Sequence, residues 1–203
     1  MAAEPFVFAA PSGLVFWVAL YGWIASEWFV SGRRDRRNAA STRTGHEGDR
    51  GTLWTLMGGT WAGIGSAIAA AWALPGLVLP GSPEAWLLVG SGLWLGGIIL
   101  RVWAIRVLGR YFRRVVTVAA DHQLVTTGSY RVIRHPAYAG TLATCLGLGV
   151  MLDNGASVLL VLVLPLAGHV HRLLVEEAVL QDQLGDAYAA YRRRTWRLLP
   201  GVW

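Results

Sequence analysis

The sequence predicts an all-α, polytopic integral membrane protein of about five transmembrane helices, and three observations carry that prediction. Of its 203 residues 54% are apolar, only 15% are charged and 11 are tryptophan. With a mean hydropathy of +0.44, this leaves too little polar surface to cover a soluble unit of one-domain size. Five apolar runs approach the roughly 17–25 helical residues that a hydrocarbon core requires. Finally, all 18 basic residues are arginines, and they cluster at alternate ends of those runs. Five crossings then put every arginine on one side, which predicts an N-terminus outside and a C-terminus in the cytoplasm.

The first run covers residues 11–30 and is followed by Arg33, Arg34, Arg36 and Arg37. It is too long, and too poor in basic residues before it, for a cleavable signal peptide. The polar, turn-rich stretch 33–52 reads as an inner loop. The second run, 53–74, and the third, 85–100, are separated by the Pro- and Gly-rich segment 75–83. Gly59 with Gly63, and Gly92 with Gly96, have the spacing of small faces that let helices approach closely. Residues 89–97, VGSGLWLGG, lack the strand-turn-helix setting of a dinucleotide fingerprint. Arg101, Arg106, Arg110, Arg113 and Arg114 end the third span, and residues 1–109 form an N-terminal unit of three spans. The C-terminal unit, 110–203, holds a polar stretch, a hairpin of helices over 138–152 and 158–175 turning at Asp153, Asn154 and Gly155, and a tail.

The net charge of +6 raises the question of nucleic acid. The arginines border apolar spans rather than forming a basic, aromatic-rich module, so no nucleic-acid partner is expected. The single Cys145 leaves no intrachain disulfide and reads as a core thiol. His169 and His171 have no third ligand at a recognisable spacing, so no metal is expected.

Chemistry concentrates in residues 121–140, DHQLVTTGSYRVIRHPAYAG. Gly128 permits a tight loop, and Pro136 pre-sets a helix start. Arg134 and His135 then stand at the mouth of the fourth helix, where free amides and the positive helix end suit a carboxylate. Arg134 has a fixed fork that stays charged and grips carboxylates in two parallel bonds; Arg131 reads as a topological arginine. His135 serves as a ligand-orienting group, a base or a helix-end cap. On the fifth helix His169, Arg172 and Glu176 share a face, and Arg172 and Glu176 have the spacing of an ion pair. Glu176 and Glu177 point about 100° apart and so take different roles. The stripe Leu180, Leu184, Tyr188 and Tyr191 packs the tail back onto the inner face.

HQLVTTGSYRVIRHPAYAG, followed after the hairpin by EEAVLQDQLGDAYAAYRRRTWRLLP, resembles the isoprenylcysteine carboxyl methyltransferase family over roughly residues 110–200. The resemblance implies a membrane methyltransferase that uses S-adenosylmethionine without a Rossmann domain. Its cofactor pocket would lie on the cytoplasmic side, in the C-terminal half, beneath a lid of loop and tail. A lipophilic or prenylated acceptor would enter laterally from the lipid bilayer. Carried onto this chain, the cofactor residues would be His122, Gln123, Leu124, Val125, Gly128 and Tyr130 from the loop. Arg134, His135, Pro136 and Tyr138 would come from the helix mouth, and Glu176 and Glu177 from the opposite wall. Arg134, Glu177 and Arg194 would carry catalysis. Tyr130 or Tyr138 would cover the adenine or face the sulfonium. Ser129 stands where the family commonly has proline, and the front half is not diagnostic, which leaves the acceptor open. Alternatives on the same pattern are a phospholipid or small-thiol methyltransferase, a nicotinamide-dependent sterol-type reductase, and a non-catalytic lipid-binding protein.

Overall fold

The computed structural model describes Phe8, Arg36, Asp49 and residues 11–33, 51–112 and 124–203. Most of the inner loop, together with His122 and Gln123, lies outside the described residues. Five long helices follow one another: α1 Ser12–Ser26, α2 Thr52–Ala73, α3 Pro83–Leu108, α4 Pro136–Met151 and α5 Gly155–Arg192. A π-helical segment, Glu27–Gly32, prolongs α1, and short 3-10 turns occupy Gly109–Tyr111 and Gly128–Arg131. Among the described residues, three helical stretches are long and apolar enough to cross a membrane: Ser12–Gly32, Pro83–Tyr111 and Gly155–Arg192, with mean hydropathies of 1.4, 1.7 and 2.0. α4 is a shorter apolar helix of 16 residues, about 24 Å at the α-helical rise.

Local chemistry accounts for the helix starts. The Ser82 side chain accepts from the Ala85 amide, and Pro83 and Glu84 occupy the first turn of α3. α4 begins on Pro136. Asn154 caps α5 by accepting from the Ser157 amide at 3.0 Å, while its own amide donates to Leu74 O at 2.8 Å. That second bond ties the α4–α5 turn to the end of α2.

Two helices run further than their apolar patterns foretold. α3 passes the expected end at residue 100 and continues to Leu108, because Arg101 finds an acidic partner, Glu27, on α1. α5 passes residue 175 and reaches Arg192, with a break at Gly185, whose φ is 51°. Arg172 and Glu177 are buried there with partners on other elements, so the helix carries ionisable groups inward without exposing them to lipid.

The bundle is built from two tight pairs, α2 on α5 and α3 on α4. Both rest on glycine. A Cβ at Gly59 would lie 2.6 Å from Leu164 O, and one at Gly63 would lie 2.7 Å from Pro165 Cδ, as their spacing suggested. The α3–α4 seam instead uses Gly90 and Gly97, where a Cβ would stand 2.7 Å from Gly147 O and 2.5 Å from Thr144 Oγ1. Gly92 and Gly96 face open space. Residues seven apart share a helix face after two turns, and that face, not the one holding Gly92 and Gly96, meets α4. Phe16, Trp23, Ala67, Leu148, Met151 and Val161 form the core between the pairs. Trp54, Leu88, Ile99, Leu159 and Val163 are exposed on the outside, an apolar surface suited to lipid.

After Gly185 the last turns of α5 fold onto the inner ends of the helices, burying Tyr188 and Tyr191. Tyr191 donates its hydroxyl hydrogen to Tyr130 O at 2.7 Å. The chain then runs beside residues 132–135, with Ile133 and Trp196 forming an isolated parallel bridge.

Candidate functional site

A cavity of about 380 Å³ opens between the helices, within the roughly 300–1,000 Å³ range of small-molecule sites. Its lining combines polar side chains, among them Arg134, His135, Tyr138, Arg172 and Glu176, with apolar ones, among them Trp23, Trp28, Leu56, Met57 and Trp61. Trp28 and Trp61 are also 58% and 46% exposed, so the apolar lining reaches the surface. Glu27 and Arg101 line the cavity as well.

Tyr138, in the first turn of α4, organises the polar lining. Its hydroxyl donates to Glu176 Oε2 at 2.7 Å and accepts from Arg172 Nε at 2.9 Å. Arg172 and Glu176 thus meet through this hydroxyl instead of pairing directly across a helical turn. The Tyr138 ring stacks on His135, with centroids 5.5 Å apart, and meets the edge of His169 at 5.4 Å. Arg172 also donates to Asp49 Oδ1 at 2.6 Å and to Thr52 Oγ1 at 3.1 Å, which brings the start of α2 to the site.

Behind this wall Glu177 gathers nitrogen partners. Arg134 Nε donates to Oε1 at 2.8 Å, Arg197 Nε donates to Oε2 at 3.1 Å, and His135 Nε2 lies 3.3 Å from Oε1. The other side of Arg134 donates to the carbonyls of Thr195 and Arg192. The Arg134 and His135 amides donate to Trp196 O at 2.7 Å and Arg197 O at 3.1 Å. The helix-mouth donors that the sequence offered to an anion are therefore largely engaged by the tail. Tyr130 is buried beside Glu176, and burial raises its phenol well above the ordinary value, so the hydroxyl stays protonated.

Of the twelve residues expected at the cofactor, Leu124, Val125, Tyr130, Arg134, His135, Tyr138 and Glu176 line the cavity. Gly128 shapes the loop with a φ of 58°, its α-carbon packed so that a Cβ would lie 2.9 Å from Val107. Pro136 starts α4, and Glu177 braces the wall from behind with a side chain 5% exposed. Arg194, expected to be catalytic, is exposed, with its Nε bonded to Ala190 O. Arg197, three residues later, is the tail arginine that reaches Glu177, because the chain leaves the helix at Arg193 and turns back toward α4.

Sequence reasoning missed Asp49, Glu27 and Arg101. Arg101 grips Glu27 through Nε and, at 2.7 Å, through its second terminal nitrogen, and also donates to Ala137 O at 3.2 Å. Glu27 begins the π-helical segment of α1, a departure from regular helix that recurs at functional sites. A carboxylate inside an apolar run was the available signal. Two buried groups near the site, the Tyr188 hydroxyl and Trp23 Nε1, lack a hydrogen-bond partner among the described residues, as happens where a ligand or water supplies one.

The family model described as phospholipid methyltransferase matches residues 85–187. Protein-S-isoprenylcysteine O-methyltransferase B of Arabidopsis thaliana is 34% identical over 127 residues, which are 61% of this chain and 64% of the relative's length. A probable protein-S-isoprenylcysteine O-methyltransferase of Oryza sativa subsp. indica is 31% identical over 130 residues, 62% of this chain and 68% of the relative. The solved structure of a eukaryotic intramembrane Ras methyltransferase, isoprenylcysteine carboxyl methyltransferase, aligns with a TM-score of 0.68 at 20% identity, covering 100% of this chain and 70% of that one. That likeness speaks for the fold, an all-helical membrane architecture. With the family model matched over half its length, the chain belongs to the phospholipid methyltransferase family.

Proposed function

We propose that this protein is a membrane methyltransferase that moves a methyl group from S-adenosylmethionine to the carboxylate of a lipophilic, prenylcysteine-like acceptor. The observation that carries this reading is the mixed lining of one cavity: charged and aromatic side chains together with apolar ones, of which Trp28 and Trp61 are also exposed at the surface. A methyl donor with a positive sulfur, a carboxylate and a flat base suits the charged and aromatic lining, and an isoprenoid-like chain suits the apolar lining. The isoprenylcysteine methyltransferase names of the plant relatives support the acceptor class.

The donor set fits the cofactor. Glu176, on the cavity wall and oriented by Tyr138, supplies a carboxylate for its cationic part. Arg134 and His135 close the carboxylate end, held there by Glu177 and the tail. Leu124, Val125 and Tyr130 offer apolar and aromatic surface to the base. The unsatisfied Tyr188 hydroxyl adds a polar group. When bound, S-adenosylmethionine supplies a methyl carbon activated by a sulfonium. Transfer to a carboxylate needs no proton removed, so the residues' work is alignment and exclusion of water. Arg172, on the cavity lining, orients the acceptor carboxylate; its guanidinium is held by Asp49, Thr52 and Tyr138. Placing every arginine cluster on the cytoplasmic side gives five crossings, an outer N-terminus and a cytoplasmic C-terminus.

The test is equilibrium binding to the purified protein in lipid nanodiscs. S-adenosylhomocysteine binds and a reduced nicotinamide dinucleotide does not, and Glu176→Ala weakens the former at least tenfold. Nicotinamide binding, or unchanged affinity in Glu176→Ala, overturns the reading.

A further inference from the structure

The stretch after the last turn of α5 has a composition that the proposed chemistry does not use. Arg192, Arg193 and Arg194 are exposed, and Trp196, Leu199 and Val202 are 46%, 59% and 75% exposed. Across the bridge that pairs Trp196 with residues 132–133, Arg131 and Val132 are exposed too. The acidic residues on the approach, Asp182 and Asp186, are fewer than the arginines. Guanidinium groups interleaved with tryptophan and aliphatic side chains, at the end of a spanning helix, are what a negatively charged headgroup layer attracts and embeds.

This stretch is ordered and fastened to the pocket. Arg197 and Leu198 donate their amides to Trp203 O at 2.9 and 3.1 Å, and the Arg197 guanidinium lies 4.9 Å over the Trp203 ring. The same Arg197 donates to Glu177, and the carbonyls of Arg192, Thr195, Trp196 and Arg197 accept from Arg134 or His135. The exposed surface and the pocket wall are therefore two sides of one hydrogen-bonded layer.

We infer that residues 192–203, with Arg131 and Val132, dock on anionic lipid headgroups of the membrane that holds the protein, and that docking tightens the cofactor pocket. A surface that pulls the tail toward the headgroups steadies the carbonyls that hold Arg134 and His135. By linkage, a bound cofactor strengthens lipid docking by the same factor. The second half of the inference rests on the cofactor reading above; the first does not.

The experiment uses the full chain in nanodiscs of phosphatidylcholine alone or mixed with phosphatidylglycerol, with two readouts. Amide hydrogen exchange over residues 193–203 slows in the anionic discs, and S-adenosylhomocysteine affinity rises about fivefold, the effect of roughly one headgroup contact. Both shifts fade as salt is raised. The double variant Arg192→Gln, Arg193→Gln shows neither shift, and its affinity matches that of the unaltered protein in phosphatidylcholine. Equal exchange in the two lipids overturns the docking, as does a shift that survives the double variant. Slowed exchange with equal affinity overturns the coupling. Slowed exchange with no S-adenosylhomocysteine binding in either lipid keeps the docking and removes the methyltransferase reading.

Discussion

Tyr138 links four side chains of the site: one hydroxyl bridges Glu176 and Arg172, and one ring stacks on His135 and meets His169. Tyr138→Phe keeps the ring and loses the bridge. The expected result is a fall of about tenfold in S-adenosylhomocysteine affinity with only about 1 kcal/mol of lost stability, read by calorimetric titration and thermal unfolding. Glu177→Gln has the opposite balance. It removes the negative charge facing Arg134, Arg197 and His135 and costs about 3 kcal/mol of stability, because an unpaired buried guanidinium remains. Arg194→Ala, on an exposed side chain, leaves unfolding and methyl transfer within error of the parent. Tyr138 and His135 stood out in the dense polar motif of residues 121–140, and Glu176 on the ionisable face of the fifth helix, and all three line the cavity. The partners of Arg172 and Arg101 were not legible. Asp49 lies 123 positions from Arg172 and Glu27 lies 74 positions from Arg101, and a single sequence gives no measure of distance in space.

At the scale of elements, the helix pairs are set by which glycines face a neighbour. Gly97→Ala forces a Cβ against Gly140 O and Thr144 on α4, at a cost of about 2 kcal/mol, since close-packed backbones do not yield as a flexible side chain would. Gly92→Ala meets nothing within 4 Å and leaves thermal stability unchanged or slightly raised. Comparing the two variants by unfolding in detergent tests the register of α3 on α4. The places of all five helices were readable as apolar runs, three of which lie in stretches long and apolar enough to cross a membrane. Their lengths were not: arginine and glutamate look like the end of a span, yet α3 continues through Arg101, paired with Glu27, and α5 through Arg172 and Glu177, paired with Asp49 and Arg134. The small-residue spacing in α3 pointed to Gly92 and Gly96, when a seven-residue repeat, Gly90 and Gly97, makes the contact.

For the whole molecule, the α2–α5 and α3–α4 pairs, closed by α1, leave a cavity of about 380 Å³ whose lining mixes charged, aromatic and apolar side chains. The charged residues of the C-terminal half and the aromatic residues of α1 and α2 contribute to it together. The C-terminal half therefore carries the motif, but it does not form the cavity alone. The proposed orientation, with the arginine clusters on the cytoplasmic side, predicts a C-terminal reporter accessible only from that side. The central claim is methyl transfer to a lipophilic carboxylate, and its most direct measurement follows a labelled methyl group from S-adenosylmethionine to a prenylcysteine analogue in nanodiscs. The account predicts a label that is released by base, as a methyl ester requires, and that is lost in Glu176→Ala. Label that resists base, or appears only on aminophospholipid, contradicts it.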